Sequence, residues 1–452
     1  MSKIIARECK FVVHLPFVPD YREDTHVVKE TLHYEDGTYK DNLRTITNFR
    51  RPFYITKPFY QKHKDKKESE ELDRLNRYTS TDSDLGRNIA ARLGSRYNGI
   101  TDLRGVKDNP YIYGADITAA SVIKHEYQKR YPDAISLYTY ATLDIETNVL
   151  TDEITMVSLV MEDKIHTTVT RKYIKDTGIK ESTMISKLDY LFEKYVPDTE
   201  GKAKVTRTLT VVENEMDLVR DTIGKAHEWG PDFVGIWNIE FDLGKMMKVC
   251  EKYHVDPADV FSDPSLPKNL RYFKYKQGMK QHVTESGKVK PINPEEQWHS
   301  AIYPAKFYMI DAMSAHRYVR VGGKSTPGGY SLDNILEQEL GSKFKKLKFG
   351  DNPKYKGIEW HLYMNREKPL EYIIYNMWDC YSMIELDKKT KDLSTVLPML
   401  SGISSYTIFN SGPKKIVDAM HYVYLEKGKV IGTKPARISD DKLLGLDDWI
   451  WG

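Results

Sequence analysis

Leu137-Tyr138-Thr139-Tyr140-Ala141-Thr142-Leu143-Asp144-Ile145-Glu146 decides how this chain is read. The run predicts a strand, and side chains alternate faces along a strand. Asp144 and Glu146 therefore project to one side and Ile145 to the other. Neighbouring carboxylates repel. They stay ionised together only around a cation, or one of them takes a proton. An oxygen-rich site of this kind suits Mg²⁺ or Mn²⁺. A D-x-E pair is also a common solvated strand end, so the residues that follow must separate the two readings.

Downstream, Ile154 to Met161 and Ile165 to Thr170 predict two more strands of a meander, and Ser182 to Tyr195 a helix with Ser182 as N-cap. A fourth strand follows at Leu209-Thr210-Val211-Val212. Met216 to Trp229 is amphipathic and closed by Gly230-Pro231, a helix stop. Phe233-Val234-Gly235-Ile236-Trp237 is a short apolar run between turn signals, hence a buried strand. Strands alternating with helices predict an α/β arrangement, α+β over the whole chain, with a mixed sheet flanked by helices.

The second acidic stretch, Asn238-Ile239-Glu240-Phe241-Asp242, lies where that buried strand ends and a helix begins. Ligand sites of α/β proteins gather at strand carboxyl ends. An acid is also favoured at any helix start. The third stretch lies on Leu370 to Lys388, a helix with a strongly apolar face. Tyr375 and Asp379 are four residues apart and share one face of it. An acid among Ile, Met, Trp and Tyr is costly to bury without a partner.

Together these are D-x-E on a strand, N-x-x-F-D after a later strand and Y-x-x-x-D on a later helix. The set resembles the three motifs of the DEDD 3′→5′ exonucleases. It resembles most closely the proofreading region of family B DNA polymerases of large tailed bacteriophages. Phe307-Tyr308-Met309-Ile310-Asp311 and Tyr330-Ser331-Leu332-Asp333-Asn334-Ile335-Leu336 resemble that family's next strand and helix. The resemblance is strongest from Tyr138 to Lys388. The spacing from Asn238 to Phe241 is one residue shorter than in many phage polymerases. The resemblance implies a ribonuclease H-like domain at 136–392 with a mixed five-stranded sheet. It also implies an N-terminal mixed domain at 1–135, and a segment at 393–452 that returns to that domain and begins the palm.

It further implies two Mg²⁺ (or Mn²⁺) ions about 4 Å apart acting on single-stranded 3′ DNA ends and primer-template. Asp144 would bridge both ions. Glu146 and Asp379 would share the ion that activates water, and Asp242 would help hold the other through water. Tyr375 and Glu146 would orient the attacking water. Asn238 and Phe241 would seat the last nucleotide, released as a 5′-monophosphate. Arg271, Lys274 and Lys276, in a projecting hairpin between Asn269 and Tyr303, and the lysines of Lys343 to Lys348 would contact nucleic acid or serve only as solvated faces. The hairpin is expected to separate strands.

Composition bounds these expectations. The 452 residues imply two or three domains. Hydrophobic content of 40%, charged content of 29% and net charge +3 are those of a globular chain that neither demands nor excludes nucleic acid. Cys9, Cys250 and Cys380 share no metal-ligand spacing, against a zinc finger or disulfide framework and in keeping with a reducing compartment. The N-terminus does not read as a signal peptide, and no apolar run spans a bilayer. A cytoplasmic location is expected, the host cytoplasm if the source is viral.

Tyr78 to Asp84 superficially resembles a polymerase palm hairpin. It lacks an apolar second strand and reads instead as the N-cap of a helix from Leu85, with Ser83 or Asp84 capping. The loop Val321 to Gly329 is not a phosphate-binding loop, because its lysine follows the wrong glycine spacing. The palm motifs are absent. The expectation is therefore a truncated or split polymerase, with Trp449 and Trp451 docking on a second chain that carries palm, fingers and thumb, or packing on their own domain. Two other readings stay open: a stand-alone DEDD nuclease on RNA or repair DNA, and a non-catalytic replisome scaffold.

Overall fold

A computed structural model of the chain describes residues 2–94, 99–106, 108–175, 180–283, 287–320, 326–349 and 355–433. It divides into two units. One combines the segment up to Ile135 with the segment from Ser401 onward; the other is Ser136–Leu400. The second boundary lies beyond residue 392 for a physical reason. Asp392 Oδ2 pairs with His316 Nδ1 at 2.8 Å and with Arg320 Nε at 3.1 Å, which ties this turn to the central unit. Trp449 and Trp451 lie outside the described residues, as do residues 321–325 of the glycine-rich loop.

The first unit opens with an antiparallel meander, β1 (Ile4–Leu15), β2 (Thr25–Tyr34) and β3 (Tyr39–Thr47). Then come β4 (Arg51–Thr56), β5 (Ser69–Glu71), β6 (Leu75–Ser80), helix α1 (Leu85–Leu93), β7 (Ile112–Tyr113) and helix α2 (Ala119–Arg130). The strands β6, β4 and β7 form a second sheet. Asp84 occupies the N-cap position of α1, although its side chain makes no capping bond. The charged run Lys62 to Glu71, which in sequence reads as an exposed loop or helix end, finishes as a strand. Ser69–Glu71 pairs with β18 (Lys429–Ile431), which follows helix α13 (Gly412–Glu426).

The central unit is built on β8 (Tyr140–Thr147), β9 (Ile154–Met161) and β10 (Lys164–Thr170), an antiparallel meander. The short α3 (Arg171–Lys175) and α4 (Glu181–Tyr195) precede β11 (Thr206–Val212), which adds parallel to β10. Lys180, not Ser182, takes the N-cap position of α4. Helix α5 (Glu215–Trp229) is capped by Asn214, whose side chain accepts from Met216 N and Asp217 N. Gly230, at φ 60°, ends it in the left-handed region open to glycine. Strand β12 (Phe233–Ile236) then joins parallel to β8.

After α6 (Ile239–Lys252) and α7 (Pro257–Phe261), the insertion forms nested hairpins. Within it β13 (Lys274–Lys276) pairs with β16 (Ser300–Ile302), and β14 (Gln281–Val283) with β15 (Val289–Pro291). Strand β17 (Tyr308–Asp311) then completes the sheet in the order β11-β10-β9-β8-β12-β17. The mixed sheet thus has six strands, not five. Phe307 to Asp311 hydrogen-bonds as an edge strand, with Phe233 opposite Tyr308 and Ile236 opposite Asp311. The remaining helices are α8 (Ala312–Arg320), α9 (Leu332–Leu340), α10 (Ile358–Glu367), α11 (Pro369–Thr390) and α12 (Leu397–Ser401).

Strand β9 shows why helices cover both faces. It is buried along its whole length. Val157, Leu159 and Met161 enter one core with Leu218 and Ile223 of α5 and Leu243 and Met246 of α6. Met156 and Val160 enter another with Leu188 and Phe192 of α4 and Ile373, Met377 and Trp378 of α11. This is the period-two alternation of a strand buried on both sides.

Candidate metal centre

On β8 the same alternation sorts core from chemistry. Ala141, Leu143 and Ile145 belong to the α5–α6 core. Thr142, Asp144 and Glu146 therefore face the other side, where α11 lies. Three contacts follow in order. Thr142 Oγ1 donates to the Cys380 carbonyl at 2.8 Å, and Asn376 Nδ2 donates to Asp144 Oδ2 at 2.8 Å. The Tyr372 hydroxyl donates to Glu146 Oε2. The partners step by two along the strand and by four back along the helix. Two strand residues advance about 6.6 Å and four helical residues about 6.0 Å, so the rows stay matched over all three contacts. This match seats both acids against α11.

Asp379, from α11, joins them. One carboxylate oxygen each from Asp144, Glu146 and Asp379 lie within 4.8 Å of one another. Glu146 and Asp379 are buried and Asp144 half-buried. Asp242 lies in the first turn of α6 and is buried. Its Oδ1 accepts from Ile145 N at 3.1 Å, which holds it beside Asp144 but outside the three-acid cluster.

Protonation follows from crowding. Burial, then the charges of Asp379 and Glu146, hold the Asp144 carboxyl well above the usual carboxylate range. Burial pushes Glu146 up to about 8; Asp379 and Asp242 add to the rise, and the Tyr372 bond and Lys346 oppose it. Burial and then Asp144 raise Asp242. Burial raises Asp379 as well, against the pull of a neighbouring ammonium.

That ammonium belongs to Lys346. Its Nζ lies 2.5 Å from Asp379 Oδ2 and 3.1 Å from the Tyr375 hydroxyl. Burial alone would lower its pKa, but Asp379 leads a set of negative neighbours that raises it well above the ordinary lysine value. The segment before it is pinned to the fold. Trp378 Nε1 donates to the Lys345 carbonyl at 3.0 Å, and Lys346 N donates to Asp333 Oδ1 at 2.8 Å. Lys346 thus supplies the positive charge a clustered acid set requires. Asp379 Oδ1, by contrast, is buried without a hydrogen-bond partner. A buried orphan oxygen beside two more carboxylates is the donor set a hard divalent cation satisfies. The residues present therefore fit such an ion; its identity is a separate matter.

The remaining expected residues divide into two groups. Asn238 and Phe241 are exposed at the start of α6, and the Lys245 ammonium lies 5.2 Å from the Phe241 ring centroid. The inserted hairpins are fastened beside them. Gln277 Nε2 and Lys280 Nζ bond Glu240 Oε1 at 2.7 and 2.6 Å. Lys274 and Lys276 are exposed on β13. The structure gives Arg271 to the fold instead. Its guanidinium donates to Asp259 Oδ1 at 3.0 Å and to the carbonyls of Leu266 and Pro264, which leaves little of it for a phosphate.

Four site residues were not singled out from the sequence: Tyr372, Asn376, Lys346 and His361. Tyr372, Tyr375, Asn376 and Asp379 are spaced as a polar stripe on one helix face, so helical period was a usable signal for two of them. His361 Nδ1 lies 2.7 Å from the Tyr372 hydroxyl and extends the chain that ends on Glu146. No local pattern marks His361 or Lys346 as site residues.

A second group of ligating side chains, His14, His26 and Asp82, lies in the other unit. Among the described residues no helix is long and apolar enough to cross a membrane. No protein-family model matches this chain, and no curated protein sequence matches it either.

Proposed function

We propose that the central unit is a ribonuclease H-like 3′→5′ exonuclease that removes nucleotides from single-stranded 3′ DNA ends, as the proofreading part of a replicative family B DNA polymerase. One observation carries the reading: Asp144 and Glu146 of β8 and the sequence-distant Asp379 of α11 present oxygens within 4.8 Å of one another, beside a fourth buried acid, Asp242. The order of the D-x-E, N-x-x-F-D and Y-x-x-x-D stretches along the chain supports it.

Asp144, Glu146 and Asp379 would hold divalent ions, with Asp242 assisting. Such ions supply a nucleophilic hydroxide at neutral pH and stabilise the leaving 3′-oxygen. The chain's own groups do the rest. Tyr372 and Asn376 fix the rotamers of Glu146 and Asp144 before substrate arrives, which is preorganisation rather than contact with substrate. Tyr375 presents its hydroxyl beside Asp379 and orients the attacking water together with Glu146. Lys346 balances the acids through its bond to Asp379, and with divalent ions held by those acids its ammonium would offer a positive charge to the phosphate. Exposed Phe241 offers a ring on which a frayed terminal base stacks, and Asn238 beside it a side-chain amide for the sugar.

The test is digestion of a 3′-ended DNA oligonucleotide in Mg²⁺ by the wild type, Asp144→Ala and Asp379→Ala. Each substitution is expected to lower the rate by at least about 10³-fold while circular dichroism is unchanged, since each removes a group the transition state needs. Near-wild-type digestion by either variant would show that these acids do not perform the reaction. An RNA oligonucleotide run alongside separates a DNA-directed enzyme from one that uses 2′-hydroxyls.

A further inference from the structure

In the unit that opens the chain, His14 near the end of β1 and His26 near the start of β2 are Cα partners in the antiparallel ladder. Cross-strand partners share a sheet face, and their imidazoles stack, with centroids 4.7 Å apart and planes at 21°. Asp82 reaches them from the turn between β6 and α1. One ring nitrogen of each histidine and one oxygen of Asp82 lie within 4.8 Å of one another.

Unmet bonding at the same place is an independent observation. His26 is fully buried, and neither of its ring nitrogens has a hydrogen-bond partner. Its nearest carboxylate oxygens are Asp82 Oδ2, 3.5 Å from Nε2, and Asp24 Oδ1, 3.9 Å from Nδ1. Asp24 Oδ1 is likewise buried and unpartnered. Orphaned buried polar atoms are rare in folded proteins, and three within one small cluster need a common explanation.

We propose that His14, His26 and Asp82 bind one divalent transition-metal ion of the Zn²⁺ class, with Asp24 and Arg51 holding the ligands in place. Two imidazoles and a carboxylate are a borderline donor set, suited to Zn²⁺ or Co²⁺ and poorly suited to Mg²⁺. Supporting bonds surround the ligands. His14 Nε2 lies 3.1 Å from Asp24 Oδ2, which also accepts from Ser83 N at 2.9 Å. A carboxylate bonded to one imidazole nitrogen fixes the tautomer and leaves the other nitrogen unprotonated, as metal-bound histidines require. Arg51 Nε donates to Asp82 Oδ1, and Ala119 N to Asp82 Oδ2 at 3.3 Å. To share a tetrahedral ion the three donors must close to roughly 3.3 Å apart, and the stacked rings must turn so that their in-plane lone pairs converge.

Charge agrees. Two carboxylates and one guanidinium leave a net negative charge when both imidazoles are neutral, and a divalent ion reverses it. The ion would join the β1–β2 hairpin to the turn after β6, and so link the unit's two three-stranded sheets.

The test uses the full chain carrying Asp144→Ala and Asp379→Ala, so that the other acidic cluster cannot contribute. After dialysis against chelator it is titrated with Co²⁺, followed by visible absorption, and the Co²⁺ is then displaced with Zn²⁺. One equivalent should bind, and millimolar Mg²⁺ should not displace it. His14→Gln, at a partly exposed position, should weaken Zn²⁺ at least tenfold with circular dichroism retained. In the chain with intact acids it should leave nuclease activity unchanged. If that variant misfolds, Asp24→Asn keeps every proposed ligand and should still cost roughly tenfold in affinity. Absence of Co²⁺ absorption, displacement by Mg²⁺, or unchanged affinity in the folded variants would overturn the proposal.

Discussion

Lys346 is the residue whose role is most sharply defined by its neighbours. It is a cation lodged among groups proposed to hold cations, so it competes with them. Lys346→Gln should therefore tighten the Mg²⁺ half-saturation of the nuclease by up to about tenfold, the equivalent of about 1.4 kcal/mol. It should also slow turnover, because a positive charge near the phosphate is lost. A half-saturation that fails to tighten would contradict the competition, and unchanged turnover would show that Lys346 is only a structural counterion. Tyr372 gives a second residue-scale prediction. Its hydroxyl donates to Glu146 and lowers that carboxyl's pKa. Tyr372→Phe removes the donor, so Glu146 should gain its proton at a higher pH. The acid limb of the pH–rate profile should move up by roughly 1 unit, the scale of one hydrogen bond to a charged group. A limb that stays in place or moves down would remove Glu146 from the titration.

The pairing of β8 with α11 is the device that makes the centre at the scale of elements. Much of it was legible in advance. The alternation at Leu143 to Glu146 placed both acids on one strand face, and the spacing of Tyr375 and Asp379 placed them on one helix face. The resemblance placed the Asp379 helix against that strand face; what could not be read was the register, since the match of two strand residues to four helical residues exists only after packing. The sixth strand, Tyr308–Asp311, was visible as an apolar segment, but its edge position depends on hydrogen bonds to β12. Lys346 was legible only as one lysine in a basic run, because the anchors that aim it, Trp378 and Asp333, are contacts made by folding. Arg271 illustrates the same limit, since its bonds to Asp259, Leu266 and Pro264 exist only in the folded chain. A basic residue beside aromatics reads as a nucleic-acid contact, and the sequence does not show which acceptors within the fold it also bonds. The prediction for the element is Thr142→Val. It removes the hydroxyl that anchors one end of the pairing to the Cys380 carbonyl, at 2.8 Å. It should cost about 1 kcal/mol of stability by chemical denaturation, and wild-type stability would argue that the other two contacts alone hold the register.

At the scale of the whole molecule, the raised carboxyls make stability depend on pH. Glu146 and Asp311 are both pushed up to about 8 by burial, and Asp144, Asp242 and Asp379 are raised as well. In the unfolded chain such groups titrate at about 4. A folded pKa above the unfolded one means that the folded state holds its protons more tightly. The associated stability is full below about pH 4 and is lost as pH rises toward 8. In chelator, thermal unfolding should therefore occur at a higher temperature at pH 5.5 than at pH 8.5. Mg²⁺ should recover the share of the loss owed to Asp144, Glu146, Asp242 and Asp379 at pH 8.5 and change little at pH 5.5, since the ion requires ionised ligands. Tryptophan fluorescence is a suitable probe, because Trp229, Trp237, Trp298, Trp360 and Trp378 all lie in the central unit. Higher stability at pH 8.5 in chelator would contradict the electrostatic account.

The most direct measurement is anomalous diffraction from crystals soaked in Mn²⁺. A peak is expected about 2.1 Å from one oxygen each of Asp144, Glu146 and Asp379, with the Lys346 ammonium moved off Asp379. No manganese at these carboxylates, with Lys346 still paired to Asp379, would contradict it.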